Sequence, residues 1–281
     1  MLERVIRETC IAGAVIDRCI KASFPRGGKR KKKEKATSDA VKKNNDMLAL
    51  KNLTRLINLN FYPGDLHTTL TYAEELSPEE ANSELEKWIK RMRREYKKLD
   101  KEFYYIAVTE FKNKRIHHHV VMNYMDFQVI NRQWKMGRIR CTPLDKTRNY
   151  RVLAEYLIKE TQKTFREPEN ATKRRWKPSR NLKRPVVKRE WVSISQLFQN
   201  LDDIKPLKGY EIDRDTLRKY TNPVTKLDHL EYQMVSNEAV PRLSVWRKGK
   251  KINRNETYRK MDEIRQMDME LEDHAAIWDV L

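Results

Sequence analysis

The chain has 281 residues, 60 of them lysine or arginine and 40 aspartate or glutamate, for a formal net charge of +20. That length fits one large domain or two small ones, and so large a positive excess calls for an anionic partner: nucleic acid first, an anionic membrane surface second. No stretch approaches the roughly 18–20 apolar residues that span a bilayer, the charged opening does not read as a secretory leader, and three cysteines without a C-x-x-C pair argue against a disulfide framework or a four-cysteine zinc site.

Residues 3 to 24 alternate weakly between apolar and polar, as a short strand or two would. The basic run "PRGGKRKKKEK" follows, a linker or a contact to a DNA backbone. "SDAVKKNNDMLALKNLTRLINLNF" then spaces Val41, Leu48, Leu53, Leu56 and Ile57 as a helix does, with Ser38 or Asp39 as its N-cap. "YPGD" ends it with turn residues.

"DLHTTLTYA" reads as a strand. "SPEEANSELEKWIKRMRREYKKL" is the clearest helix: Ser77 caps it, Pro78 opens it, and two glutamates fill its first turn. Its apolar stripe is Leu85, Trp88, Ile89, Met92 and Tyr96. "EFYYIAVTE" and "IHHHVVMN" are strands joined by the turn "FKNKR", so the pair reads as a hairpin. After "INRQWKMGRIRCTPLD", a second amphipathic helix runs through "TRNYRVLAEYLIKETQKTF".

From 163 to 189 the chain is strongly basic, and prolines at 168, 178 and 185 forbid a long helix. A mixed segment runs on to about residue 250, and the acidic end from 255 to 281 has a helical pattern that suits a partner-binding helix. These shifts divide the chain into a basic N-terminal region with a helix (1–58), a central domain (59–200) and a C-terminal region, helical and acidic at its end (201–281).

Three adjacent histidines carry the first chemical signal. Side chains alternate along a strand, so His117 and His119 share one face while His118 points the other way. Glu110 ends the partner strand and can approach the same face. Two imidazole nitrogens and a carboxylate oxygen suit Mn²⁺, Mg²⁺ or Zn²⁺, with positions left for water or a phosphate oxygen. A second signal is Tyr156 with Lys159, three apart on a helix and therefore neighbours on its surface.

The order of these elements resembles the HUH endonucleases, the rolling-circle replication initiators of plasmids, phages and mobile elements. Their three motifs appear here as "TLTY" at 69–72, "HHH" at 117–119 and "YLIK" at 156–159. "NFYPGDLHTTLTY", "EFKNKRIHHHVVMN" and "SRNLKRP" look specifically like replication-associated proteins related to the filamentous-phage gene II protein. The resemblance covers roughly residues 45 to 190. It departs from the pattern at His118, where a bulky apolar residue is usual.

The resemblance implies an α+β fold: a ferredoxin- or RRM-like antiparallel sheet with packed helices, here with a basic N-terminal and a mixed helical C-terminal extension. It implies metal ligands His117 and His119 with Glu110 as third, Mg²⁺ or Mn²⁺ as cofactor, Tyr156 as nucleophile and Lys159 as its neutralising cation. The reaction would nick single-stranded or hairpin origin DNA, leaving a 5′-phosphotyrosine and a free 3′-hydroxyl, in the cytoplasm of a bacterial cell. Host helicase and DNA polymerase are the expected partners, with no membrane role.

Tyr150 lies about 240° around the helix from Tyr156, so it is read as packing. His67, on the "TTLTY" strand, is read as structural. Lys173, Arg174, Arg175, Lys177, Arg180, Lys183 and Arg184 surround Trp176, a pattern of cations and a stacking aromatic that suits DNA; Arg115 beside the histidine strand is a further phosphate contact. The rivals are a conjugative relaxase or a transposase of the same fold, and a nucleic-acid-binding protein without catalysis. A structural zinc protein lacks a fourth good ligand.

Overall fold

The computed structural model describes residues 4–23, 38–111, 115–164, 174–224 and 226–237. In chain order the elements are β1 (Arg4–Ala12), β2 (Val15–Ser23), α1 (Asp39–Asn60), β3 (Leu66–Thr71), α2 (Pro78–Lys98), β4 (Tyr105–Glu110) and β5 (His117–Met122). They continue with α3 (Phe127–Gln133), β6 (Ile139–Pro143), α4 (Arg151–Thr164), β7 (Lys177–Pro178), β8 (Val187–Val192), α5 (Ser195–Phe198), a 3₁₀ turn (Leu201–Asp203), β9 (Tyr210–Thr221) and β10 (Asp228–Ser236). The strands form two five-stranded sheets in which every paired neighbour is antiparallel, an α+β fold whose open sheets are consistent with an RRM-like core. Among the described residues no helix is long and apolar enough to cross a membrane.

The described residues divide into two units, one holding those up to 59 and from 184 to 237, the other those from 60 to 183. The first unit contains the sheet ordered β8-β1-β2-β10-β9. Gly13 turns β1 into β2 with φ +59°, and a Cβ there would sit 1.9 Å from the Asn58 carbonyl oxygen, so only glycine fits. One face buries Val5, Ile16, Ile20, Leu230, Tyr232 and Met234 against Leu197 and Ile204. The other carries Asp17 and Glu231, which meet Arg55 at 2.7 Å and Lys51 at 3.1 Å from α1. The weak alternation of residues 3–24 is thus two real strands. The divisions at 58 and 200 do not describe this sheet, because strands from before 58, from 187–192 and from beyond 201 all lie in it. The described part of the C-terminal region, expected as mixed and helical, is mainly a strand pair; the sheet needs those strands to cover β2. The stretch 255–281 and the basic run lie outside the described residues.

The second unit holds the sheet ordered β6-β3-β5-β4-β7. α2 covers one face, and its start is set by a capping box: Ser77 accepts from the Glu80 amide while the Glu80 side chain accepts from the Ser77 amide. The expected stripe of Leu85, Trp88, Ile89, Met92 and Tyr96 is buried against Leu66, Leu70, Tyr105, Val120 and Met122. The sequence reading singles out neither α3 nor β6; β6 is an edge strand of five residues, too short for its alternation of Ile139 and Cys141 with exposed Arg140 and Thr142 to stand out. At the ends of this unit, the Asn60 side chain donates to the Lys183 carbonyl at 2.9 Å and accepts from the Lys183 amide at 2.7 Å.

Candidate active site

The register of β3, β5 and β4 builds the site row by row. Thr71 pairs with His117 and His117 with Glu110; Thr69 pairs with His119 and His119 with Val108; His67 pairs with Val121. Odd residues of β3 and β5 and even residues of β4 therefore share the face turned away from α2. His117, His119 and Glu110 offer ligand atoms that all lie within 4.8 Å of one another.

His117 is oriented by its own strand entry. Its Nδ1 lies 2.9 Å from the Arg115 carbonyl oxygen, so that nitrogen donates. Its Nε2 then points at Glu110 Oε2, 3.1 Å away. With a neutral ring, a lone pair faces a carboxylate lone pair, an arrangement relieved only by a cation or proton between them. Glu110 is 4% exposed, so this carboxylate is held against the imidazole rather than solvated. The donor set of two imidazoles and one carboxylate could hold a divalent metal ion with positions left open.

His119 is 2% exposed. Its Nδ1 lies 3.1 Å from His67 Nε2 and 3.3 Å from Thr69 Oγ1; its Nε2 lies 3.3 Å from the Tyr156 hydroxyl. Burial, then the neighbouring His67 and His117, pushes its pKa down to about 3. Burial, then the Arg140 guanidinium, pushes His67 down to about 4. Both rings are therefore neutral at neutral pH, the form a metal requires.

α4 brings the tyrosine. Ala154, Leu157, Ile158 and Thr161 are buried, which leaves Tyr156 at the border, 40% exposed and with its hydroxyl over His119. Lys159 is exposed, one turn farther along the helix. Glu160, four residues after Tyr156, acts on His119 as a negative charge. Tyr150 is 3% exposed and its hydroxyl donates to the Asp145 carbonyl at 3.4 Å, the packing expected of it.

His118, the departure from the family pattern, lies fully buried on the α2 face. The Tyr72 hydroxyl donates to the Ala81 carbonyl at 2.9 Å, so His118 Nε2 donates to Tyr72 at 2.7 Å. His118 Nδ1 accepts from Thr109 at 2.9 Å. The ring fills the apolar slot with both nitrogens satisfied and has no part in the metal face.

The expected DNA contacts stand in differing surroundings. Lys177 pairs with Glu86 of α2, and its register opposite Ala107 puts it on the α2 face. Arg115 donates to the Ala73 carbonyl at 2.8 Å. Arg174, Arg180 and Lys183 are exposed, and Arg175 and Trp176 are half-buried. Arg184 belongs to the other unit and Lys173 lies outside the described residues. Conversely, two residues given no site role belong to the metal face. His67 touches His119. Arg140, exposed on β6, pairs with Thr69, which pairs in turn with His119. Strand alternation signals His67, whereas Arg140 lies on a five-residue strand too short to be read from its alternation.

A second cluster, Cys19, His229 and Glu231, also gathers metal-type ligands within 4.8 Å. Glu231 is already engaged by Lys51 at 3.1 Å and Arg218 at 2.8 Å, and burial pushes the Cys19 thiol up to about 12. Two cations at the carboxylate and a protonated thiol make this an ion-pair network.

Comparison with curated proteins gives no match, and comparison with solved structures gives none. The family model for the replication-associated protein ORF2/gene II protein matches residues 65–165. That stretch begins just before β3 and ends just after α4, so it contains Glu110, His117, His119, Tyr156 and Lys159. Over the segment that builds the site, the chain is similar to this replication-associated family.

Proposed function

We propose that the protein starts rolling-circle replication as a metal-dependent endonuclease that nicks and rejoins single-stranded or hairpin origin DNA through Tyr156. The observation that carries this reading is the Tyr156 hydroxyl 3.3 Å from His119 Nε2, on the face that also holds His117 and Glu110. A divalent ion, Mg²⁺ or Mn²⁺, held by His117, His119 and Glu110 would supply Lewis-acid stabilisation to a non-bridging phosphate oxygen.

Tyr156 Oη forms a bond to the scissile phosphorus, and the bond from phosphorus to the 3′ oxygen breaks. The phenol loses one proton and the departing 3′ oxygen takes one up, so the step is a transesterification that consumes no water. The product is a 5′-phosphotyrosine and a free 3′-hydroxyl, which a DNA polymerase can extend with a helicase opening the duplex. The phosphotyrosine keeps the bond energy, so attack by a 3′-hydroxyl reverses the step and rejoins the strand. Lys159 supplies positive charge to the phosphate or the tyrosinate. Tyr156 is held by a helix whose other side is core, which fixes the nucleophile before DNA arrives.

The test is cleavage of single-stranded fragments tiling the element that encodes the protein, with Mn²⁺ or with EDTA, read on denaturing gels. The expected result is a metal-dependent cut with DNA covalently attached to the wild type and not to Tyr156→Phe. Binding across the whole tiling set with neither cut nor adduct would sink the enzyme reading in favour of a DNA-binding protein.

A further inference from the structure

We infer that His67 is a positioning residue for the metal site: it accepts the Nδ1 proton of His119 and so fixes the tautomer that leaves His119 Nε2 free to bind a cation. The inference rests on His119 being a metal ligand, as proposed above.

Proton count decides the direction of the bond. A neutral imidazole carries one N–H and one lone pair. His119 Nδ1 faces His67 Nε2 at 3.1 Å and Thr69 Oγ1 at 3.3 Å, too crowded for an ion. Nε2 instead faces the Tyr156 hydroxyl, and one nitrogen of this ring lies within 4.8 Å of ligand atoms of both Glu110 and His117. If Nε2 is to bind a cation, the proton must sit on Nδ1, and the nearer acceptor there is His67 Nε2. The opposite assignment, with His67 donating, would put the His119 proton on Nε2 and remove the ligand. His67 is placed for this by register. It stands opposite Val121, two residues along the same face from the Thr69–His119 pair, which makes it the diagonal neighbour of His119. The ring centroids are 5.2 Å apart, and His67 also meets Tyr156 edge-on at 6.1 Å. A histidine bridging the underside of a ligand and the nucleophile's ring orients both.

Metal ligands lose about 10- to 100-fold in affinity when such a partner is removed. The experiment is a Mn²⁺ titration of the full chain without DNA, by calorimetry and by electron spin resonance. The variants are His67→Phe, His67→Gln, Thr69→Val and His117→Ala, each checked for folding by circular dichroism. The glutamine variant would keep an acceptor oxygen near the place of Nε2; the phenylalanine variant would keep only bulk. We expect His67→Phe to weaken Mn²⁺ binding about 10- to 100-fold, His67→Gln to restore most of it, and Thr69→Val to stay within a few-fold of wild type. Bound Mn²⁺ should show two imidazole nitrogens in the wild type and in His67→Gln alike.

Wild-type affinity in folded His67→Phe would overturn the inference. So would equal loss in the Phe and Gln variants, which would mean packing alone, or a third imidazole nitrogen in the wild type, which would make His67 a ligand. Failure of the wild type to bind Mn²⁺, or binding unaffected by His117→Ala, would instead bring down the metal reading itself and this inference with it.

Discussion

His118 Nε2 donates to the hydroxyl of Tyr72 at 2.7 Å, on the face of β5 opposite His117 and His119. One strand thus holds three imidazoles in two unrelated environments: a face shared with Glu110 and an apolar core. The hydroxyl it binds is committed to the Ala81 carbonyl, which fixes the direction of the bond. Tyr72→Phe should therefore leave the buried His118 Nε2–H without its partner, while the Ala81 carbonyl, inside α2, keeps its helical acceptor role, and should cost about 1–3 kcal/mol in urea denaturation. Adding His118→Leu should recover most of that loss, because it removes the orphaned group. Mn²⁺ binding should be unchanged in both. A double variant no more stable than Tyr72→Phe would show that His118 is not held by this bond.

Arg140 is exposed on the face that carries His67, Thr69 and His119 and has no ion-pair partner among the described residues. Under the proposed function, a cation so placed suits a phosphate next to the one to be cut. Arg140→Ala should weaken single-stranded DNA binding and lower the slope of log K against log salt by roughly one. Mn²⁺ affinity should stay at the wild-type value. An unchanged salt slope would remove Arg140 from the DNA path.

Asp65, just before β3, is almost fully buried and accepts from the amides of Tyr62 and Tyr124, each at 2.9 Å. Burial raises its pKa to about 7 in spite of those two bonds. The folded state thus keeps a proton between about 4 and 7 that the unfolded chain has released. The contribution of this group to stability is full below about 4 and is lost as pH rises toward 7. Melting wild type and Asp65→Asn side by side from pH 4 to 8 should show the variant gaining on the wild type as pH rises through this window. A constant difference would mean that Asp65 does not titrate there.

Gly137 lets the segment before β6 lie against the end of β3. A Cβ there would sit 2.2 Å from the Thr71 carbonyl oxygen and 2.8 Å from the Ala73 amide, both backbone atoms that cannot swing aside. Gly137→Ala should cost about 1–3 kcal/mol or more. Because Thr71 stands opposite His117, it should also weaken Mn²⁺ binding. A variant as stable as wild type would show that the two segments can part without cost.

The parts of the fold that are legible in sequence are those written locally. α2 announces its start by Ser77, Pro78 and Glu80 and its buried face by Leu85, Trp88 and Tyr96. The hairpin of β4 and β5 announces itself by two β-branched and aromatic runs across a short turn, and strand alternation alone separates His117 and His119 from His118. What stays hidden depends on distant partners. β2 meets β10 some two hundred residues away, and nothing in "VIDRCIKAS" names that partner. Lys177 reads as a DNA cation until Glu86 is seen beside it, since an ion pair across a sheet leaves no local trace. β6 lies on an edge, and its five residues are too few for the inward pair Ile139 and Cys141 to mark it as a strand. His67 is visible as a residue on the right face, but its bond to His119 follows from the β3–β5 register, which residue type does not reveal.

The double hydrogen bond between Asn60 and Lys183 bears on how this protein is put together. The chain enters the second unit at one of these residues and leaves it at the other. That makes residues 60–183 a closed parenthesis in the sequence of the first unit. Its two ends are tied by their own clasp, and the strands of the first sheet are interrupted only between elements. With its two ends held at hydrogen-bonding distance, the segment that carries His117, His119 and Tyr156 begins and ends at one place in the sequence that surrounds it.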